Sequence, residues 1–169
     1  MHFKMRGFNR SFGAANWKRS LSMTIDAEKM ILLRDLMANI LVSAKIWRSL
    51  ANEALLDLGL DSGVAACLFW IAYVGDGAKQ IDIATEMGLT AASLVRMIDS
   101  LEALQLARRE VDENNRRANR IRLTDEGRRV VSIMQTILDS VHQNLFREFE
   151  SSDINTANTL LRRVISERA

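Results

Sequence analysis

The chain has 169 residues, 48% of them hydrophobic, enough for one domain or two closely packed parts that bury about 70% of the extended-chain surface. It contains no proline, against an average usage of about 5%, which favours long uninterrupted helices over a loop-rich or sandwich fold. No apolar run approaches the ~18 residues of a membrane span, and the lone Cys67 excludes an intrachain disulfide framework, so a cytoplasmic protein with no membrane partner is expected.

The formal charge of +2 conceals an uneven distribution. Lys4, Arg6, Arg10, Lys18 and Arg19 stand in residues 1–25 without a single acid, and subtracting those five leaves −3 on the rest. With scattered aromatics and no apolar period, residues 1–24 read as a basic, mobile arm. They lack the continuous apolar core of a secretory signal. Met5 and Met23 are alternative starts. The remainder, 25–169, reads as one domain.

From Met30 the pattern changes. Met30, Leu33, Met37, Ile40, Ala44, Trp47, Ala51, Ala54 and Leu58 recur three and four residues apart, an apolar seam along one helix over about 26–58. Such a seam calls for a partner, either a second subunit or the chain's own bundle. Residues 64–74, VAACLFWIAYV, are apolar nearly all round and predict a buried helix that contains Cys67. A small buried hydrophobe is the expected role of that cysteine, ahead of a redox sensor.

Residues 80–104 carry the most specific signal. Ile83, Ala84 and Met87 lie at helical spacing, Gly88 follows, Leu89 closes a turn, and Leu94 and Met97 resume an apolar face. Two short helices that cross steeply need a small residue at the crossing and one free to take positive φ between them. Ala84 and Gly88 fit those needs, and Thr90 is placed to cap the second helix. The first turns of that helix would expose Thr90, Ala91, Ala92, Ser93 and Arg96, small residues that admit a close approach to the major groove and one Arg suited to guanine. A plain antiparallel helix pair is the alternative at this point.

The next segment favours DNA. Arg108–Val111 and Asn119–Thr124 predict two short strands, with Ile121 and Leu123 on one face and Arg120 and Arg122 on the other, joined through Asp112, Glu113, Asn114 and Asn115. Residues 116–122 hold four arginines, among them Arg116, Arg117 and Arg120, and no acid. That density suits a hairpin tip lying on phosphates or in a minor groove. The winged helix-turn-helix thus spans about 62–124.

Beyond it, Thr124 with Asp125 and Glu126 supplies a cap and a favourable first-turn charge. Val130, Met134, Ile137, Val141 and Leu145, then Ile154, Ala157, Leu161 and Val164, give two further apolar seams over about 125–168. The expected fold is therefore mainly α, a winged helix-turn-helix flanked by N- and C-terminal dimerisation helices. Leu33, Met37, Ile40, Trp47, Val141, Leu145, Leu161 and Val164 are the expected dimer contacts.

Enzyme chemistry finds no support. The two histidines are His2 in the arm and His142, alone on a helix, so neither a Cys/His metal set nor a nucleophile with its base can be assembled. No phosphate-cradling glycine loop is present, and neither a catalytic residue nor a cofactor is expected.

The run GLTAASLVRMIDSLEALQLARRE followed by NRRANRIRLTDEG resembles the MarR family of winged-helix regulators, its SlyA branch in particular. The resemblance implies a homodimer on palindromic operators, with Ser93 and Arg96 on the recognition helix and Arg117 at the wing tip. Three departures stand out. Asn115 replaces the usual Asp of the tip, Gln105 the usual Gly after the recognition helix, and Ala92 a Pro common near its start. Gln105 must then either adopt positive φ or end the helix differently. The resemblance also implies an aromatic or phenolic effector in a crevice beside the dimer helices, where Trp47, Trp70 and Tyr73 would lie. Core packing is the competing role for each. A winged-helix module that binds protein and never DNA is the competing function, separable by its insensitivity to salt.

Overall fold

The computed structural model describes residues 26–112 and 115–167, with the backbone alone for 115–118. The arm at 1–24 lies outside these residues, as do the side chains of Arg116 and Arg117. Helix α1, Ala27–Ala54, starts where the Asp26 carboxylate accepts the Glu28 N–H at 3.2 Å. It stops four residues before the predicted end, because a 3₁₀ turn at Leu56–Leu58 and Gly59 at φ +65° redirect the chain. Asp61 then caps α2, Ser62–Val74, by accepting from Gly63 and Val64.

Helix α2 is the centre of the molecule. Its Cys67, Leu68 and Ile71 have no exposed surface, and α3 (Gln80–Met87), α4 (Ala91–Ala103) and α5 (Asp125–Phe146) all pack against it. The helix is buried on most of its surface, which accounts for its largely apolar sequence, but Ala66 and Tyr73 are exposed, so the all-round burial expected of it is incomplete. Burial pushes the Cys67 thiol up to about 12, which leaves it protonated and unreactive at neutral pH.

A three-stranded antiparallel sheet, in the order β1-β3-β2, closes the winged helix-turn-helix of residues 62–124, hereafter the reader. β1, Ala78–Lys79, pairs with β3 through Ala78–Ile121 and Lys79–Arg120. It is too short to leave a pattern in the sequence. β2, Ala107–Asp112, and β3, Asn115–Leu123, form the hairpin, with the predicted alternation in place: Ile121 and Leu123 are buried against the helices. The strands run further toward the tip than expected. Asp112 and Asn115, both read as turn residues, pair with each other across a register shift after Val111.

The recognition helix and the next long helix are joined at one point. Past α4 the chain turns through Gln105 at φ +57°, the only non-glycine residue with positive φ among those described, so the missing glycine is met by strain rather than by a different ending. Leu106 then bonds back to the Leu101 carbonyl at 2.8 Å. Thr124, the cap of α5, donates its hydroxyl to the Gln105 carbonyl at 2.6 Å, and its N–H reaches the Leu106 carbonyl at 3.1 Å. At Gly127 a Cβ would come within 1.9 Å of that same Leu106 oxygen. Glycine is required there for space.

The termini behave differently. α5 packs on α1, whereas all of α6, Ser151–Ser166, is exposed, and so is most of the first half of α1. None of these helices is long and apolar enough to cross a membrane.

Candidate nucleic-acid interface

Gly88, at φ +66°, ends α3, and the Leu89 N–H bonds to the Ala84 carbonyl at 2.9 Å, which fixes the tight turn. Thr90 caps α4 as its spacing predicts: its hydroxyl accepts the Ser93 N–H at 3.2 Å and lies 2.9 Å from the Ser93 hydroxyl. The inner face of α4 is sealed by Leu94, Ile98 and Leu101, none with exposed surface. Thr90, Ala91, Ala92 and Arg96 consequently point to solvent, with Ser93 half-buried beside them. The Arg96 guanidinium has no acidic partner among the described residues.

The wing is braced by ion pairs that sequence patterning could not supply. Arg109 donates to Asp99 at 2.6 Å, to Glu102, and to the Val95 carbonyl at 3.2 Å, all on α4, while its own N–H bonds to Glu102 at 2.7 Å. On the outer face Glu110 accepts from Arg122 at 2.6 Å and from Arg108 at 3.1 Å. The Arg122 bond, then that of Arg108, holds the Glu110 carboxyl below the usual carboxylate range. Asp76, in the loop before β1, accepts the Leu123 N–H at 3.0 Å and pairs with Arg128 at 3.2 Å.

Arg120, expected among the DNA contacts, is turned inward. Its guanidinium reaches Asp112 at 3.2 Å and the Gly77 carbonyl at 2.9 Å, and Lys79 adds a third group at 3.8 Å from the Asp112 carboxylate. Asp112 is 1% exposed. A carboxylate so placed needs compensating charge, and Arg120 and Lys79 provide it. A turn-like run of polar residues gave no hint that its first member was buried.

Trp47, Phe69, Trp70 and Tyr73 form one aromatic cluster, and Phe146 with Phe149 a separate pair. Phe69 sits 6.1 Å from Tyr73 and 6.0 Å from Trp70, and the Trp70 ring stands edge-on to Tyr73 at 5.2 Å. A cleft of about 260 Å³ between α2 and α5 is lined by Phe69, Ala72, Tyr73, Val131, Met134 and Gln135. Of the residues expected at a ligand, Tyr73 is on its wall and Trp70 stands behind it. Trp47 does not line the cleft but stands 6.3 Å from Phe69 on its wall, nearly coplanar with His142, and donates its indole N–H to the imidazole Nε2 at 2.9 Å. His142 is thus not alone: it ties α5 to α1 across 95 residues of sequence.

Of the expected dimer contacts, Leu33, Met37, Leu145, Leu161 and Val164 are exposed, whereas Ile40, Trp47 and Val141 are half-buried within the chain. Among the described residues no cluster of His, Cys, Asp and Glu could hold a metal ion.

A model of the MarR family matches residues 58–118, from the entry to α2 through the tip of the hairpin. The structure is similar to a MarR-family transcriptional regulator from Rhodococcus sp. RHA1, with 25% identity, a TM-score of 0.69, and 79% of this chain and 94% of that one covered. A MarR transcriptional regulator from Methanosarcina mazei Go1 has the same fold at 20% identity and a TM-score of 0.69, covering 79% and 96%. So does CouR from Rhodococcus jostii RHA1, crystallised with p-coumaroyl-CoA, at 24% identity and a TM-score of 0.64, covering 77% and 88%. The capped recognition helix and the braced hairpin lie within the segment that the MarR-family model matches, and the chain shares the fold of these regulators over nearly their whole length.

Proposed function

We propose that the protein is a transcriptional regulator that binds palindromic operators as a homodimer. The observation that carries this reading is the exposed N-terminal half of α4, where Thr90, Ala91, Ser93 and Arg96 form a small-residue surface whose arginine has no acidic partner among the described residues. Such a surface fits the major groove, with Arg96 bidentate to guanine. Arg116 and Arg117 reach phosphates or the minor groove from the hairpin tip. Arg120 braces the hairpin from within and positions them.

Dimer formation follows from the uncovered apolar residues of α1 and α6. Leu33, Met37, Leu161 and Val164 remain open to water on one chain, and a two-fold partner would cover them. The cleft beside Tyr73 is the place for a small aromatic effector. Its walls are apolar and aromatic, and the Tyr73 hydroxyl and Gln135 amide offer polar ends. The p-coumaroyl group seen with CouR is a phenol of this class.

Selection from a randomised duplex pool tests the reading. The expected product is an inverted repeat with half-sites about one turn apart, bound with a steep dependence on salt. Failure to enrich any sequence, with binding insensitive to salt, would overturn it and favour a protein-binding module.

A further inference from the structure

We propose that Arg109 is a positioning residue for DNA reading: it keeps Asp99 away from Arg96, so that the recognition helix presents a free cation rather than an internal ion pair. The inference rests on the DNA-binding reading above and names a residue that acts through another.

The geometry sets up a competition for Asp99. On a helix, residues three or four apart are neighbours, and opposite charges at that spacing pair. Arg96 has Ala92 and Ser93 behind it and Asp99 and Ser100 ahead, so Asp99 is its only acidic neighbour along the helix. In the structure that carboxylate is held at 2.6 Å by Arg109, from strand β2. Arg109 is well placed to win. Its side chain is only 23% exposed and its guanidinium is fixed at the same time by Glu102 and the Val95 carbonyl, so little freedom is lost in adding Asp99. Arg96 would have to order a long exposed side chain for one surface pair.

Removing Arg109 reverses the outcome. Asp99, more than half exposed, would turn to Arg96 and withdraw it from base edges. The clamp also ties the recognition helix to the first strand of the wing, so the two DNA-contacting elements move together.

The test is a charge-suppression series on the full chain, read against the wild-type's selected duplex. Arg109→Gln should lose on the order of tenfold or more in affinity. Adding Asp99→Asn should restore most of that loss, because an amide cannot form the ion pair. Asp99→Asn alone should bind as well as wild type or better. Arg109→Lys, which keeps the charge, should fall between, and circular dichroism establishes that each variant is folded. A crystal structure of free Arg109→Gln reads the Arg96–Asp99 contact without any DNA. Undiminished binding by Arg109→Gln, a folded double variant as weak as the single one, or Arg96 still apart from Asp99 in that crystal would each overturn the inference. Wild-type protein that binds no duplex would instead overturn the DNA-binding reading, and the contact in the crystal would still decide the fate of the clamp.

Discussion

In the reader, Leu68, Ile71, Ile83, Leu94, Ile98 and Leu101 have no exposed surface, while on the terminal helices Met37 is 54%, Leu41 68% and Val164 57% exposed. Both regions are built from helices with an apolar face at the same period. What separates them is the source of the partner: in residues 62–124 two helices, a hairpin and a central apolar helix cover one another, whereas α6 meets almost nothing of its own chain. Ion pairs between residues distant in sequence follow the same division, since those of Arg109, Arg120, Arg122 and Arg128 all lie in or beside the reader. The core of the reader is closed within the chain, with Ala51 of α1 and Val131, Met134 and Leu138 of α5 completing it, whereas the first half of α1 and all of α6 leave apolar residues uncovered.

The sharpest way to break this division is inside the reader. Gly127→Ala places a methyl group 1.9 Å from the Leu106 carbonyl oxygen, backbone against backbone, with no flexible side chain to yield. The variant should lose about 3 kcal/mol or more in urea-induced unfolding. Because the contact joins the end of α4 to the start of α5, it should also impair DNA binding in whatever fraction remains folded. A loss below about 0.5 kcal/mol would mean that the junction has slack.

Next comes the open half-interface. Met37 is exposed on a single chain, so Met37→Asp costs the protomer little yet buries a charge in a dimer. The expected result is a dimer weakened by about 2–4 kcal/mol, or roughly 30- to 1000-fold in dissociation constant, with the helical circular dichroism retained. Light scattering over a concentration series measures it. An undiminished dimer would locate the partner on another face.

These two regions were also unequally legible in sequence. The helix-turn-helix was readable because its constraints are local: Ala84, Gly88, Thr90 and Leu94 lie within eleven positions, and each has a distinct steric or capping role. The seams of α1, α5 and α6 were readable as periods, but a period does not say whose surface it meets. Trp47 shows this, since it belongs to an apolar seam and yet bonds to His142 within the same chain. The least legible features were non-local ion pairs. Asp112 stands in a polar run and reads as solvated, and it takes the pairing of β2 with β3 to bring Arg120 to it and that of β1 with β3 to bring Lys79. The same holds for Arg109, which reads as one more strand arginine until β2 is laid beside α4.

A smaller effect is expected where the reader meets its ligand. Arg96→Ala removes an exposed side chain without an acidic partner among the described residues, so stability should hardly change. Affinity for the selected duplex should fall by about 1–3 kcal/mol with relaxed preference at one base pair, whereas binding to random DNA changes less. Titrations on matched and scrambled duplexes make the comparison, and equal losses on both would reduce Arg96 to a phosphate contact.

The smallest effect lies on the outer face of the wing, where Glu110 bridges Arg122 and Arg108. Its folded pKa is depressed below 4.5, the Arg122 hydrogen bond being the largest cause and that of Arg108 the next. A depressed carboxylate contributes stability that is present above its unfolded value and lost as pH falls through the folded one. Glu110→Gln should therefore lower the urea midpoint slightly at neutral pH, and the gap from wild type should close as the pH falls below 4.5. Solvent and salt screen this exposed network, so the gap should also narrow at high ionic strength. Its persistence in acid would mean that Glu110 acts through hydrogen bonds that an amide cannot reproduce rather than through its charge. The reader's ion pairs would then divide into an inner set, around Arg109 and Asp112, that fixes geometry, and an outer set that does not depend on charge.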